Sequence, residues 1–275
     1  MRLRGLARAA SAALLGALVV AIAVPLCWMV VASLTPEAAL FREPSLLPSG
    51  IVLDHYRALF ERRDFWVPIR NSLVVAGATT TLCLAAGSLC AYALARLRFR
   101  GKRAILGLVL AVTMFPQISI VSPLYLLLRA VGLIDTYPGL VLPYLTFAMP
   151  LTVWLLVAFF RQLPADLEDA ARVDGANRWQ AFTRVLLPLA APGLATTGIL
   201  TFIYCWNEFL FALSFTLGPE RQTVPVAIAL FRGQYQVPWG EILAAAVVAT
   251  VPVAALVLVF QRRIVQGLTA GAVKG

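Results

Sequence analysis

The residues able to do bond chemistry are few and scattered. The sequence has one histidine, His55, and four cysteines, Cys27, Cys83, Cys90 and Cys205. Metal centres and activated thiols need such residues at short, fixed spacings. These cysteines lie in separate apolar runs without a CxxC pair, so they read as small buried hydrophobes. His55 has no second ligand near it in sequence and reads as a loop residue. A phosphate-cradling loop requires GxxxxGK[ST], and Gly101-Lys102 lacks the upstream glycine and runs into Arg103. Paired aspartates, HExxH and a Ser/His set are all missing from the apolar runs, which argues against an intramembrane enzyme. Neither a metal nor a cofactor is expected.

Two polar features remain. The first is the segment 161–193, RQLPADLEDAARVDGANRWQAFTRVLLPLAAPG. Pro164 and Asp166 read as a helix start, because Asp suits the free N–H groups and the positive end of the helix dipole. Leu167, Ala170, Ala171 and Val173 form a small apolar stripe, opposite Glu168, Asp169 and Arg172. Such a helix is about two turns long, too short to be stable alone, and must pack on something. Gly175 falls where a left-handed cap is expected. Asn177 and Gln180 have the spacing of a capping box for the next helix. The spacing predicts a helix–turn–helix that either offers a knob to a soluble partner or packs on its own bundle.

The second feature is Glu208, the one acid within an expected membrane span. A carboxylate in lipid costs about 2.5–3.5 kcal/mol on insertion scales, so it should face the bundle interior. Counted at 1.5 Å per residue from near Leu194, it lies roughly 20 Å in. Asn207 adds hydrogen-bonding capacity beside it, and Tyr204 or Trp206 could stack on a ring. The set Tyr204, Trp206, Asn207 and Glu208 is either a substrate path for a hydroxyl-rich solute or a structural hydrogen-bond site.

The elements that must position these groups are membrane helices. Of 275 residues, 61% are hydrophobic and 13% charged, against about 25% charged in a soluble domain. Stretches without Asp, Glu, Lys or Arg cover 9–36, 71–95, 104–128, 136–160, 185–207 and 242–261, and a span needs roughly 20 mostly apolar residues. The expected architecture is all-α and polytopic, a single domain over 1–275. Its six spans fall at about 12–34, 71–95, 104–128, 137–160, 190–217 and 242–261, with a loop at 161–189. The first run could instead be a signal peptide, with Arg2, Arg4 and Arg8 as its basic region. Its uncharged stretch reaches Pro36, longer than a usual signal core of 7–15 residues, and favours a retained span.

Charge fixes the direction. The formal charge is +10, set in short clusters between apolar runs rather than on a nucleic-acid-binding face. Three basic residues lie in the N-terminal tail, five in 96–103, four in 161–184 and three in the C-terminal tail. The other side holds eight, so the positive-inside rule places both termini in the cytoplasm. The outer segment 37–70 contains Pro44, Pro48 and Gly50, then an apolar–aromatic patch at Tyr56, Phe60, Phe65 and Trp66. It either docks a partner or rests on headgroups. Pro116 and Pro123 in the third span, and Pro143 and Pro150 in the fourth, are expected to kink helices packed in a bundle or lining a cavity.

The loop pattern resembles a known family. Asp169-Ala170-Ala171, three residues, Gly175, nine residues, Val185, one residue and Leu187-Pro188 is similar to the EAA loop of ABC importer permeases. Asp169 stands for the family's Glu, and Val185 for its Ile. Asn71-Ser72-Leu73, Trp206-Asn207-Glu208-Phe209 and the ending Gln266 to Gly275 resemble carbohydrate-uptake permeases of the MalG type, and among these the trehalose permeases.

The resemblance implies a MetI-like permease fold and a subunit that hydrolyses no ATP itself. It implies a second permease subunit, two ATP-binding subunits, an extracytoplasmic sugar-binding protein and a lipid membrane, with no nucleic acid. Glu168, Asp169, Ala170, Ala171, Asp174, Gly175, Leu187 and Pro188 would couple to the ATPases. The tail 264–275 either reaches the ATPase interface or is a disordered end. The solute would be a disaccharide such as trehalose or maltose. A non-sugar solute, a glycerol phosphate ester and a stand-alone secondary transporter are the alternatives; the last would want more ionisable residues along the spans than Glu208.

Overall fold

The computed structural model describes residues 2–40, 50–164, 166–231 and 237–270, with side chains from residue 10 to residue 261 of these. Pro44, Pro48, the basic side chains of both tails and the tail beyond residue 270 lie outside what is described. Among the described residues every regular element is helical. In order they are α1 (Arg2–Ser33), α2 (Asp54–Glu61), α3 (Trp66–Arg96), α4 (Lys102–Ala111), α5 (Gln117–Ala130), α6 (Tyr137–Gln162), α7 (Asp166–Val173), α8 (Arg178–Ala181), α9 (Leu187–Leu189), α10 (Ala191–Trp206), α11 (Leu210–Phe215), α12 (Val224–Ala229) and α13 (Trp239–Ala270). A 3₁₀ turn, Val112–Met114, follows α4, and a π-helical turn, Phe182–Leu186, joins α8 to α9.

By length and composition four described helices can cross a membrane, and six can if each bent pair is one span. The first bent pair is Lys102–Met114 with Gln117–Ala130, turned by 93°. Its cause is Pro116, whose ring disfavours the helical conformation at Phe115, and Phe115 is extended at φ −73°, ψ 129°. The second pair is Arg178–Leu189 with Ala191–Trp206, turned by 74°. The expectation that all four span prolines would kink divides here. Pro143 and Pro150 lie inside the continuous α6, and Pro123 inside α5.

The chain forms two compact units. One comprises residues 1–66 and 228–251. In it the Glu37 carboxylate accepts the backbone N–H groups of Trp239 (3.0 Å) and Gly240 (2.9 Å), capping the start of α13. Arg63 pairs with Glu241 and lies 4.4 Å over the ring of Phe231. Phe65 is fully buried, edge-on to Phe231. The aromatic patch is therefore only partly a surface: Trp66 is 61% exposed while Phe65 is core. His55 sits in α2 rather than a loop, with Nε2 3.0 Å from the Thr35 carbonyl oxygen. Along α1 most apolar side chains from Leu14 to Val30 are exposed, as suits a helix that is apolar all round and faces lipid.

The other unit comprises residues 67–227 and 252–275. Its core is α6, packed chiefly against α10, with α3 meeting it at Gly87 and Tyr92. Small residues let these backbones approach, as membrane helices need in the absence of a hydrophobic drive. A Cβ on Gly193 would collide with the Phe159 ring, and one on Gly87 would come within 3.0 Å of Thr152. Where the helices meet, Thr152 and Thr201 hydroxyls pair at 2.9 Å. At one end of α3, Asn71 is fully buried: its Nδ2 donates to the carbonyls of Glu220 and Gln222, both at 2.9 Å, and its Oδ1 accepts from Tyr137 at 2.8 Å. Ser72 Oγ accepts the N–H of Val224. The Asn71-Ser72 pair thus staples the 220–224 connection to the end of α3.

Candidate functional site

The first candidate is the apparatus between α6 and α10. α7 begins at Asp166, where the acid suits the helix dipole. It ends at Gly175, whose φ of +85° lets the Ala176 N–H return to the Ala171 carbonyl at 2.9 Å. Asn177 and Gln180 form the reciprocal capping box, each bond 2.9 Å. Beyond it, the Leu187 N–H reaches the Phe182 carbonyl five residues back. The widened turn is what Pro188 calls for, since proline has no N–H to offer the carbonyl four residues earlier.

The apolar stripe is narrower than its spacing implied. Ala171 is buried and Leu167 half-buried, but Ala170 is exposed and Val173 is 88% exposed at the tip. Asp169 and Arg172, 4.0 Å apart, face solvent. With Val173, Gly175, Ala176 and Asn177 they line an open depression of about 470 Å³. Glu168, Asp169, Ala170, Ala171, Asp174 and Gly175 therefore share one protruding element. Leu187 and Pro188 lie at the foot of it, where it enters α10.

Two residues that tie this element down carried no motif. The Tyr92 hydroxyl, near the end of α3, donates to Glu168 Oε1 at 2.9 Å. Arg96, read from sequence only as a topology charge, donates to the carbonyl oxygens of Leu163 and Pro164. The signal open to a sequence reading was that Tyr92 and Arg96 are four residues apart, on one helix face.

The second candidate is a crevice of about 460 Å³ where α10 stops. The expected span over 190–217 is interrupted there: α10 ends at Trp206 and α11 resumes at Leu210, leaving Glu208 in the break. Its carboxylate accepts the N–H groups of Phe211 (2.8 Å) and Ala212 (3.1 Å), and the residue is 8% exposed. The acid thus satisfies the free end of α11, which in lipid would otherwise go unpaired. Tyr204, Asn207 and Glu208 line the crevice together with Gln117, whose amide donates to Tyr204 Oη at 2.8 Å. Trp206 is not among them. It is 3% exposed and stacked on Phe202. Gln117 was missed, although it follows the Pro116 break, where a polar residue in an apolar run is a signal.

These features are those of a known transport class. The chain belongs to the family of binding-protein-dependent transport system inner membrane components, whose pattern matches residues 84–270. Among its relatives, the trehalose transport system permease protein SugB of Mycobacterium tuberculosis (strain CDC 1551 / Oshkosh) is 49% identical over 274 residues, 98% of this chain and 100% of the relative. The trehalose/maltose transport system permease protein MalG of Thermococcus litoralis (strain ATCC 51850 / DSM 5473 / JCM 8560 / NS-C) is 40% identical over 266 residues, 95% of this chain and 96% of that one. A crystal structure of a bacterial ABC transporter involved in the import of the acidic polysaccharide alginate superposes with a TM-score of 0.80 at 25% identity. It covers 95% of this chain and 98% of that chain. The chain is a polytopic inner membrane component with the MetI-like permease fold.

Proposed function

We propose that this chain is one of two membrane subunits of an ATP-driven importer for a neutral sugar, with trehalose the leading substrate and maltose the next. The observation that carries the reading is the exposed helix–turn–helix over 166–189. It offers α7, the Gly175 turn and an open depression to a soluble partner, on a chain without a phosphate loop of its own. One of two ATP-binding subunits would grip this element, with Asp169, Ala170, Ala171, Asp174 and Gly175 at the contact and Leu187 and Pro188 at the pivot. A second permease subunit and an extracytoplasmic sugar-binding protein complete the assembly, and both termini lie in the cytoplasm.

Mechanistically, ATP closing the motor subunits would tilt α7 and swap an inward-open for an outward-open state. The equilibrium is biased by ATP at one end and by loaded binding protein at the other. The crevice at Gln117, Tyr204, Asn207 and Glu208 would form part of the path. Its lining holds amide, phenol and carboxylate groups but neither Lys nor Arg, which suits a neutral hydroxyl-rich solute better than a glycerol phosphate ester. The names of both relatives above include trehalose.

The test is purification of the tagged chain from its native membranes, followed by proteoliposome uptake of radiolabelled trehalose. The expected outcome is co-purification of an ATP hydrolase and uptake that needs both ATP and the binding protein. Trehalose uptake by the purified chain alone would instead establish a secondary transporter.

A further inference from the structure

We propose that α3 is the member through which the coupling element acts on the bundle, and that Tyr92 is the positioning residue of that linkage. The inference rests on the reading of 166–189 as an ATPase handle and adds a route by which its movement leaves it. The obvious route is the covalent one, through Leu187-Pro188 into α10. It passes a π turn and a 74° bend, which are compliant connections for a lever.

The route through α3 is stiffer. Tyr92 is 7% exposed, with its ring 4.9 Å from Phe182 in the π turn and edge-on to Phe160 in the last turn of α6. Its hydroxyl holds Glu168 in the first turn of α7. One helical turn further on, Arg96 holds the carbonyls of Leu163 and Pro164, the link between α6 and α7. The end of α3 therefore grips the coupling element at two points, and its aromatic ring fills the joint behind it. From there α3 runs to the Asn71-Ser72 staple on the 220–224 connection. Among the described helices longer than 25 residues, α3 alone has no proline beyond its first turn. It is one uninterrupted helix of 31 residues, without a break like those that turn the two bent pairs by 93° and 74°.

Glu168 is held by a phenol, so the bond can be deleted by removing a single oxygen. The experiment uses the assembled transporter in proteoliposomes with its binding protein and radiolabelled trehalose, and reads trehalose moved per ATP hydrolysed. Tyr92→Phe should leave the ATPases bound and lower that ratio about tenfold, the expected effect of losing one hydrogen bond to a charged group. Glu168→Ala should match it, the double variant should be no worse than either single one, and Glu168→Gln, which keeps an acceptor oxygen, should recover most of the ratio. Arg96→Met, which keeps an apolar stem but removes the donors to both carbonyls, should lower it independently. Wild-type ratios in both Tyr92→Phe and Arg96→Met would overturn the proposal. A wild-type complex from which the ATPases are absent would overturn the handle reading instead.

Discussion

Glu208 shows how a residue's type can be right for two jobs while its surroundings favour one. An acid in an apolar run must find partners, and this one finds two backbone N–H groups of its own chain. Its removal should then cost stability first. Glu208→Ala leaves two buried donors unpaired and should destabilise the folded permease by about 2–4 kcal/mol, whereas Glu208→Gln keeps one acceptor and should cost about half as much. Thermal unfolding in detergent and the KM for trehalose separate the roles. A raised KM in Glu208→Gln at unchanged stability would assign the carboxylate to the solute. That Glu208 would be buried was legible in the sequence from the desolvation cost alone. That it would cap a helix was not, because the break at 207–209 follows no proline or glycine. Trp206, of the two rings offered for stacking, is the buried one for a related reason: aromatic chemistry says what a ring can do, and packing decides where it is.

At the scale of elements, local rules read from spacing survive best where the chain is exposed and few neighbours intervene. The Gly175 cap and the Asn177–Gln180 box took the geometry their spacing implied, because each involves only residues a few positions apart. The stripe on α7 was less legible, since an eight-residue helix touches too little of the bundle to bury a full face, and Val173 ends at the tip. Gly175→Val is the sharpest probe of this element. At φ +85° with open space around the α-carbon, a valine there meets no clash but carries a backbone penalty of about 1–2 kcal/mol. The expected outcome is a complex that inserts and assembles yet loses most ATP-driven trehalose uptake. Undiminished uptake would remove the turn from the coupling mechanism. The break at Pro116 followed from backbone sterics, but the continuity of α6 through Pro143 and Pro150 did not. In a packed helix the neighbours, here chiefly α10, support a helix that continues past the lost hydrogen bonds.

For the whole molecule, hydropathy carries most of what a sequence reading needs to reach a helical multi-pass fold, because lipid admits so few architectures. Pairings between distant residues stayed out of reach: spacing can put Tyr92 and Arg96 on one face, but nothing local names Glu168 as a partner, or the 220–222 carbonyls as those of Asn71. The proposed orientation has a direct check. Cysteines placed singly on a cysteine-free background at Arg100 and at Asp174 should react with a membrane-impermeant maleimide only from the cytoplasmic side, and one at Glu220 only from outside. Labelling of Arg100→Cys in intact cells would reverse the assigned direction. The helix break at 207–209 has a further consequence for anyone seeking to change the cargo. With the carboxylate already committed to holding α11 in place, the groups left for redesign are the two amides, Gln117 and Asn207. Asn207, though, donates to the Ile203 carbonyl in the last turn of α10, so under the proposed path Gln117, bonded to Tyr204 Oη, is the group to vary while the scaffold stays intact.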